Sequence, residues 1–119
     1  MAFGTAEANA IIDGWNTHYV SLHQGDPGST GANEITGGSY VRQQVALSAA
    51  SGKASANTAA LNFTGMPEMA GPPYITHVGI WTLSSAGEFE IGGAMVLQKT
   101  CNAGDTFQLP IGDLDVILS

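Results

Sequence analysis

Asp26, Asn33, Glu34 and Arg42 carry the most suggestive chemistry of the chain, and all four lie in one turn-dense run, Leu22 to Gln43. Oxygen donors such as Asp26, Asn33 and Glu34 suit a hard cation, but their spacing lacks the dense alternation of a calcium loop. Arg42 offers a planar fork that matches a carboxylate, so a pair with Asp26 or Glu34 would pin the run to the segment that follows it. The competing reading is a solvated surface arginine that contributes little. Asp26-Pro27-Gly28 is itself a turn signal: Asp caps the following backbone, Pro presets its φ, and Gly accepts a positive one. The run holds five glycines and one proline, which rules out a helix and leaves a shaped loop over 24–38.

Other reactive side chains are scattered. His18, His23, His77 and the lone Cys101 fit no metal-ligand spacing, and histidine in a strand is usually packed or hydrogen-bonded. No serine sits in a G-x-S-x-G context, so no nucleophile, base and orienting group can be assembled. Glu88 and Glu90 share one face of a predicted strand, where a solvated outer surface accounts for them. The expectation is a protein without catalytic residues, bound cofactor or metal. Trp15 and Trp81 read as core anchors, with Trp15 the better candidate for a subunit contact.

The elements that position these residues follow from periodicity. Ala8, Ile11, Ile12 and Trp15 fall on one face of a short N-terminal helix within 1–16, with Thr5 as its cap, Glu7 in its first turn and Gly14 near its end. Such a helix is marginal alone and must dock, on its own sheet or on a neighbouring subunit. Beyond it the period becomes two. His18, Val20 and Leu22 oppose Tyr19, Ser21 and His23; in Tyr40–Leu47 the predicted inward residues are Val41, Val45 and Leu47, with Tyr40, Arg42 and Gln44 outward. A small-residue stretch, 48–59, reads as a loop before an inward face of Ala59, Leu61 and Phe63, and 64–73 as a Pro/Gly-rich loop. Tyr74 to Leu83 is apolar on both faces and should be central. Turns at 84–87 and 102–105 introduce hairpin partners, Glu88–Leu97 and Thr106–Leu109, and Leu114–Leu118 ends the chain. Many short strands between turns predict an all-β fold, an antiparallel β-sandwich or small barrel with one short N-terminal α-helix.

Composition narrows the partners. At 119 residues the chain fits a single domain. Charged residues make up only 11%, so much of the surface must be small and polar and is easily desolvated against another protein. Three cations against ten carboxylates give a net charge of −7, which excludes a phosphate-binding basic patch and so nucleic acid. No run approaches the ~20 apolar residues of a membrane span, and 1–10 lacks the pattern of an export signal; the lone Cys101 excludes an internal disulfide framework, so synthesis in a reducing cytoplasm is expected.

The block Leu22-His23, Gly25-Asp26-Pro27-Gly28, Gly31-Ala32-Asn33-Glu34, Gly37-Gly38-Ser39-Tyr40 and Arg42-Gln43, with Thr76-His77-Val78-Gly79-Ile80-Trp81 and Ala103-Gly104-Asp105-Thr106, resembles a family of small tailed-bacteriophage structural proteins, commonly labelled tail-fibre-like. The resemblance runs from about Ser21 onward, and a longer Met66–Pro73 loop and Cys101 depart from the pattern. It implies a virion component on the particle's exterior, forming a homo-oligomer and touching other phage structural proteins. Compactness and acidity favour capsid decoration, a cement or minor capsid role; the alternative is a tail-fibre or minor tail protein, with host receptor or glycan binding through Tyr19, Tyr40 or Tyr74.

Overall fold

The computed structural model describes residues 3–69, 71 and 73–118. One helix, α1 (Thr5–Gly14), precedes eight strands: β1 (Tyr19–His23), β2 (Gln43–Gln44), β3 (Ala54–Ala56), β4 (Leu61–Phe63), β5 (Tyr74–Trp81), β6 (Phe89–Thr100), β7 (Phe107–Leu109) and β8 (Asp115–Ile117). All pairings are antiparallel. A four-stranded sheet runs β2-β1-β5-β6, and two ribbons, β3-β8 and β4-β7, complete a sandwich-like all-β fold that does not close into a barrel. The central position expected for Tyr74–Leu83 belongs to β5, between β1 and β6; Leu83 lies beyond its end and is 54% exposed.

The core fills the space between sheet and ribbons. Val20, Leu22 and Ile80 from the sheet join Phe63, Phe107, Leu109, Leu114 and Val116 from the ribbons and the segment before β8. Phe63 stacks toward Tyr40 at 6.1 Å and tilts against Phe107 at 6.3 Å. Such aromatic contacts add about 0.5–1.5 kcal/mol each to the burial itself.

Three local expectations are corrected. Gly4, not Thr5, is the N-cap, and no side chain caps the helix; Thr5 already has helical geometry, so its hydroxyl is one residue too late. The turn at 102–105 does not fold β7 back on β6. Instead β7 pairs with β4, Leu61 opposite Leu109 and Phe63 opposite Phe107, because that register buries four apolar side chains on one face. Within the small-residue stretch, Ala54–Ala56 forms β3 and pairs with β8, while Ala59 is exposed rather than inward. Part of the Met66–Pro73 loop, Ala70 and Pro72, lies outside the described residues.

The helix docks on its own chain. Ala8 and Ile12 are fully buried, and Trp15 follows at 7% exposed. A second face holds it by polar contacts: Asn9 Oδ1, Asp13 Oδ1 and the following Asn16 Oδ1 accept from the backbone N–H groups of Lys53, Ala50 and Leu47 at 2.9, 2.8 and 2.9 Å. Residues 9, 13 and 16 share one side of a helical path, so one row of side chains satisfies every third amide of a strandless segment.

Candidate functional site: a clamped glycine loop

The loop after β1 begins with an Asx turn. Gly28 N donates to Asp26 Oδ1 at 2.8 Å, and Pro27 O then accepts from both Gly31 N and Ala32 N at 2.9 Å. Asn33 closes the turn by donating from Nδ2 to Asp26 O at 2.9 Å, with its own φ at 64°. Gln24 N to Asn33 O and Ile35 N to Leu22 O tie the two ends of the loop together.

The loop lies down on the sheet face formed by Ser21, His23, Gly79 and Trp81. Pro27 is buried over β6, where a Cβ on Gly92 would stand 2.6 Å from Pro27 Cγ, so only glycine leaves room for the ring. Gly31 has φ +79° and sits beneath the Trp81 indole, where any Cβ would run into the ring. Trp81 and Phe89 meet edge-on at 5.3 Å and roof this contact.

Beneath the loop runs a buried polar chain. His23 is 0% exposed, and its Nδ1 is 2.7 Å from Ala32 O. A carbonyl only accepts, so Nδ1 carries the proton and Nε2 accepts from Ser21 Oγ at 2.7 Å. Ser21 Oγ in turn accepts from Trp81 Nε1 at 2.9 Å. Burial lowers the His23 pKa below its ordinary value, which favours this neutral tautomer. A serine–histidine contact of this length resembles half of a hydrolytic dyad, yet both residues are 0% exposed and offer a substrate no access.

The far end of the loop is clamped. Arg42 donates from Nε to Glu34 Oε2 at 2.9 Å and from Nη2 to Glu34 Oε1 at 2.8 Å, a bidentate pair with side chains 9% and 18% exposed. Tyr40 OH donates to Glu34 Oε2 at 2.8 Å and accepts from Leu22 N at 3.0 Å. Burial raises the Tyr40 pKa, so the phenol stays a donor. Arg42 Nη1 reaches across to Leu83 O at 3.0 Å and Ala86 O at 2.8 Å, and its guanidinium lies 3.7 Å from the centre of the Trp81 ring. One arginine thus joins the loop, the segment before β2, the β5–β6 turn and the indole that covers Gly31.

Of the residues picked out in the sequence, Glu34 and Arg42 meet directly, Asp26, Gly28 and Asn33 build the turn, and Pro27 seats it on β6. The alternative cation site does not assemble: Asp26 Oδ1 is taken by the turn, Asn33 presents an amide to a carbonyl, and both Glu34 oxygens are committed to Arg42. Trp15, proposed as a subunit contact, lies in the chain's own core, which leaves little indole for a partner. The parity of 40–42 is the reverse of the expected one: Tyr40 and Arg42 point inward while Val41 is 59% exposed. Only Gln43 and Gln44 pair as strand, and the buried clamp outweighs one valine. The roles of Tyr40, Trp81, Ser21 and the Leu83 and Ala86 carbonyls escape sequence reasoning. The signal was the shared period-two parity of Ser21 and His23, and of Tyr40 and Arg42.

The sandwich carries a surface loop whose Asp26, Asn33 and Glu34 side chains are bonded within the chain, and this loop lies in the block of residues that carries the resemblance to phage structural proteins. The family model for podophage GP4 fiber I protein gp80 matches residues 5–117, and the chain belongs to that family. No curated protein matches it. It is therefore a phage virion structural protein of the fibre type, and the match supports the tail-fibre alternative over the capsid-decoration role favoured from composition.

Proposed function

We propose that this chain is a non-enzymatic subunit of a phage tail fibre, displayed on the outside of the particle, that assembles with copies of itself and presents the clamped 24–38 loop to another virion protein. The observation that carries the reading is the Glu34–Arg42–Tyr40 clamp. It holds an exposed loop tip, Gly28 to Thr30, in one conformation before any partner arrives, so little ordering entropy is lost on contact. A −7 charge and a largely uncharged polar surface suit a protein–protein role on the exterior.

Glycan binding through a tyrosine platform is less well supported, because Tyr40 is committed to the clamp and Tyr19 is half-buried, which leaves Tyr74, at 39% exposed, as the most open ring of the described tyrosines. Quantitative mass spectrometry of purified virions, with immunogold labelling, tests the assignment. A fibre subunit gives a small copy number with label at the tail. Hundreds of copies with label over the head would replace it with capsid decoration.

A further inference from the structure

The sandwich is open on one side, between β6 and β8. Among the described residues, β6 is an edge strand, paired only with β5, and β8 is paired only with β3. Among the described residues, Ile91–Ala94 makes no backbone hydrogen bond on its outer edge. Between the two strands lies a groove of about 190 Å³, walled by Val78, Ile80, Ile91 and Gly93 on one side and Leu114 and Val116 on the other. A Cβ built on Gly93 meets nothing within 4 Å. Unpaired peptide groups beside an apolar slot fit an extended polypeptide rather than a small molecule.

We infer that the occupant is a second copy of this chain, docked about a two-fold axis with the β6 edges antiparallel over Ile91–Ala94 and with Ile117 of each copy entering the groove of the other. The inference rests on the homo-oligomer proposed above and assigns its surface. Three observations choose a second copy. The patch holds both hole and knob: Ile117 on the groove wall is 64% exposed, among the most exposed large apolar side chains described. A self-complementary patch of this kind closes on itself. The rim also carries both signs of charge. Lys99 and Asp113 stand 3.5 Å apart there, 41% and 48% exposed, beside Asp115. Elsewhere a chain of net charge −7 repels its own copy, and Arg42 is enclosed in its clamp. Irregularities in β6 on both sides, between the registers Ile80/Trp81 and Ile75/His77, confine the regular edge to a short stretch. Bulges of this sort stop an edge from recruiting strands without limit, so a closed dimer forms rather than a filament.

Sedimentation of the full chain over a range of concentrations, with circular dichroism, tests the assignment using Gly93→Glu, which puts a carboxylate into the slot, Ile117→Glu, which charges the knob, and Val41→Glu as an exposed control. The expected result is a concentration-dependent wild-type dimer, weakened at least tenfold by each of the first two changes and unaltered by the third, with all spectra native. A native-like variant at Gly93 or Ile117 that dimerises as the wild type does overturns this surface and leaves the homo-oligomer standing. A wild-type chain that is monomeric at every concentration overturns both.

Discussion

Arg42 is the residue on which the loop depends. Removing its guanidinium leaves the Glu34 carboxylate half-buried without its partner and frees the Leu83 and Ala86 carbonyls. Breaking a fully buried pair costs about 3–5 kcal/mol; with the exposure seen here, Arg42→Ala should cost about 2–3 kcal/mol and lower Tm by roughly 10 °C. Arg42→Lys should recover only a fraction, since an ammonium cannot fork to both oxygens and stack on Trp81. Thermal melts of the three proteins check the order. His23 sets a pH dependence. Its folded pKa is lowered by burial, so the unfolded chain binds the proton more readily and stability rises with pH. Its contribution is therefore complete above the unfolded value near 6.5 and is lost as the pH falls below it toward the folded value. The slope of unfolding free energy between pH 7 and 5 should flatten in His23→Gln, measured by urea titration; an unchanged slope would remove His23 as its source. Gly31→Ala should be among the costliest small substitutions, at least about 2 kcal/mol, because it adds a Cβ against Trp81 at φ +79°.

At the scale of elements, the helix and the loop are positioned by opposite means. The helix is an apolar stripe plus three side-chain acceptors aimed at 47, 50 and 53. Asp13→Ala should cost about 1 kcal/mol, the usual net value of one such bond, and Asn9→Ala with Asp13→Ala should speed amide exchange at Ala50 and Lys53 while leaving β5 unaffected. The stripe of Ala8, Ile12 and Trp15 was legible in the sequence because its spacing has only one structural meaning. The polar row was not, since Asn9, Asp13 and Asn16 find acceptable partners in water in any extended reading of the chain. Strands β1, β5 and β6 were legible from alternation and turn residues. The pairing of β7 with β4, and of β8 with β3, was not, because three-residue strands so far apart in the chain carry no local record of their partners. The segment 40–42 departs from its pattern for a related reason: period-two patterning assigns valine inward, and only the tertiary clamp turns Tyr40 and Arg42 inward instead.

For the whole molecule, the apolar side chains divide into a sealed core and one open seam. Val20, Leu22, Ile75 and Phe63 are fully buried, whereas Ile117 stands out beside the β6–β8 groove. The acidic balance was readable from composition and predicted a partner that is not nucleic acid, while the seam needed the sheet order to be seen. The Arg42 clamp holds the 24–38 loop in one conformation, ready for contact. Hydrogen–deuterium exchange at Gly31, Ala32 and Ile35, whose amides bond to Pro27 O and Leu22 O, tests it most directly. Strong protection in the wild type, falling at least tenfold in Arg42→Ala while the amides of β5 stay protected, is the predicted result. A loop that exchanges as fast as an open chain in the wild type, or whose protection ignores the loss of Arg42, would contradict it.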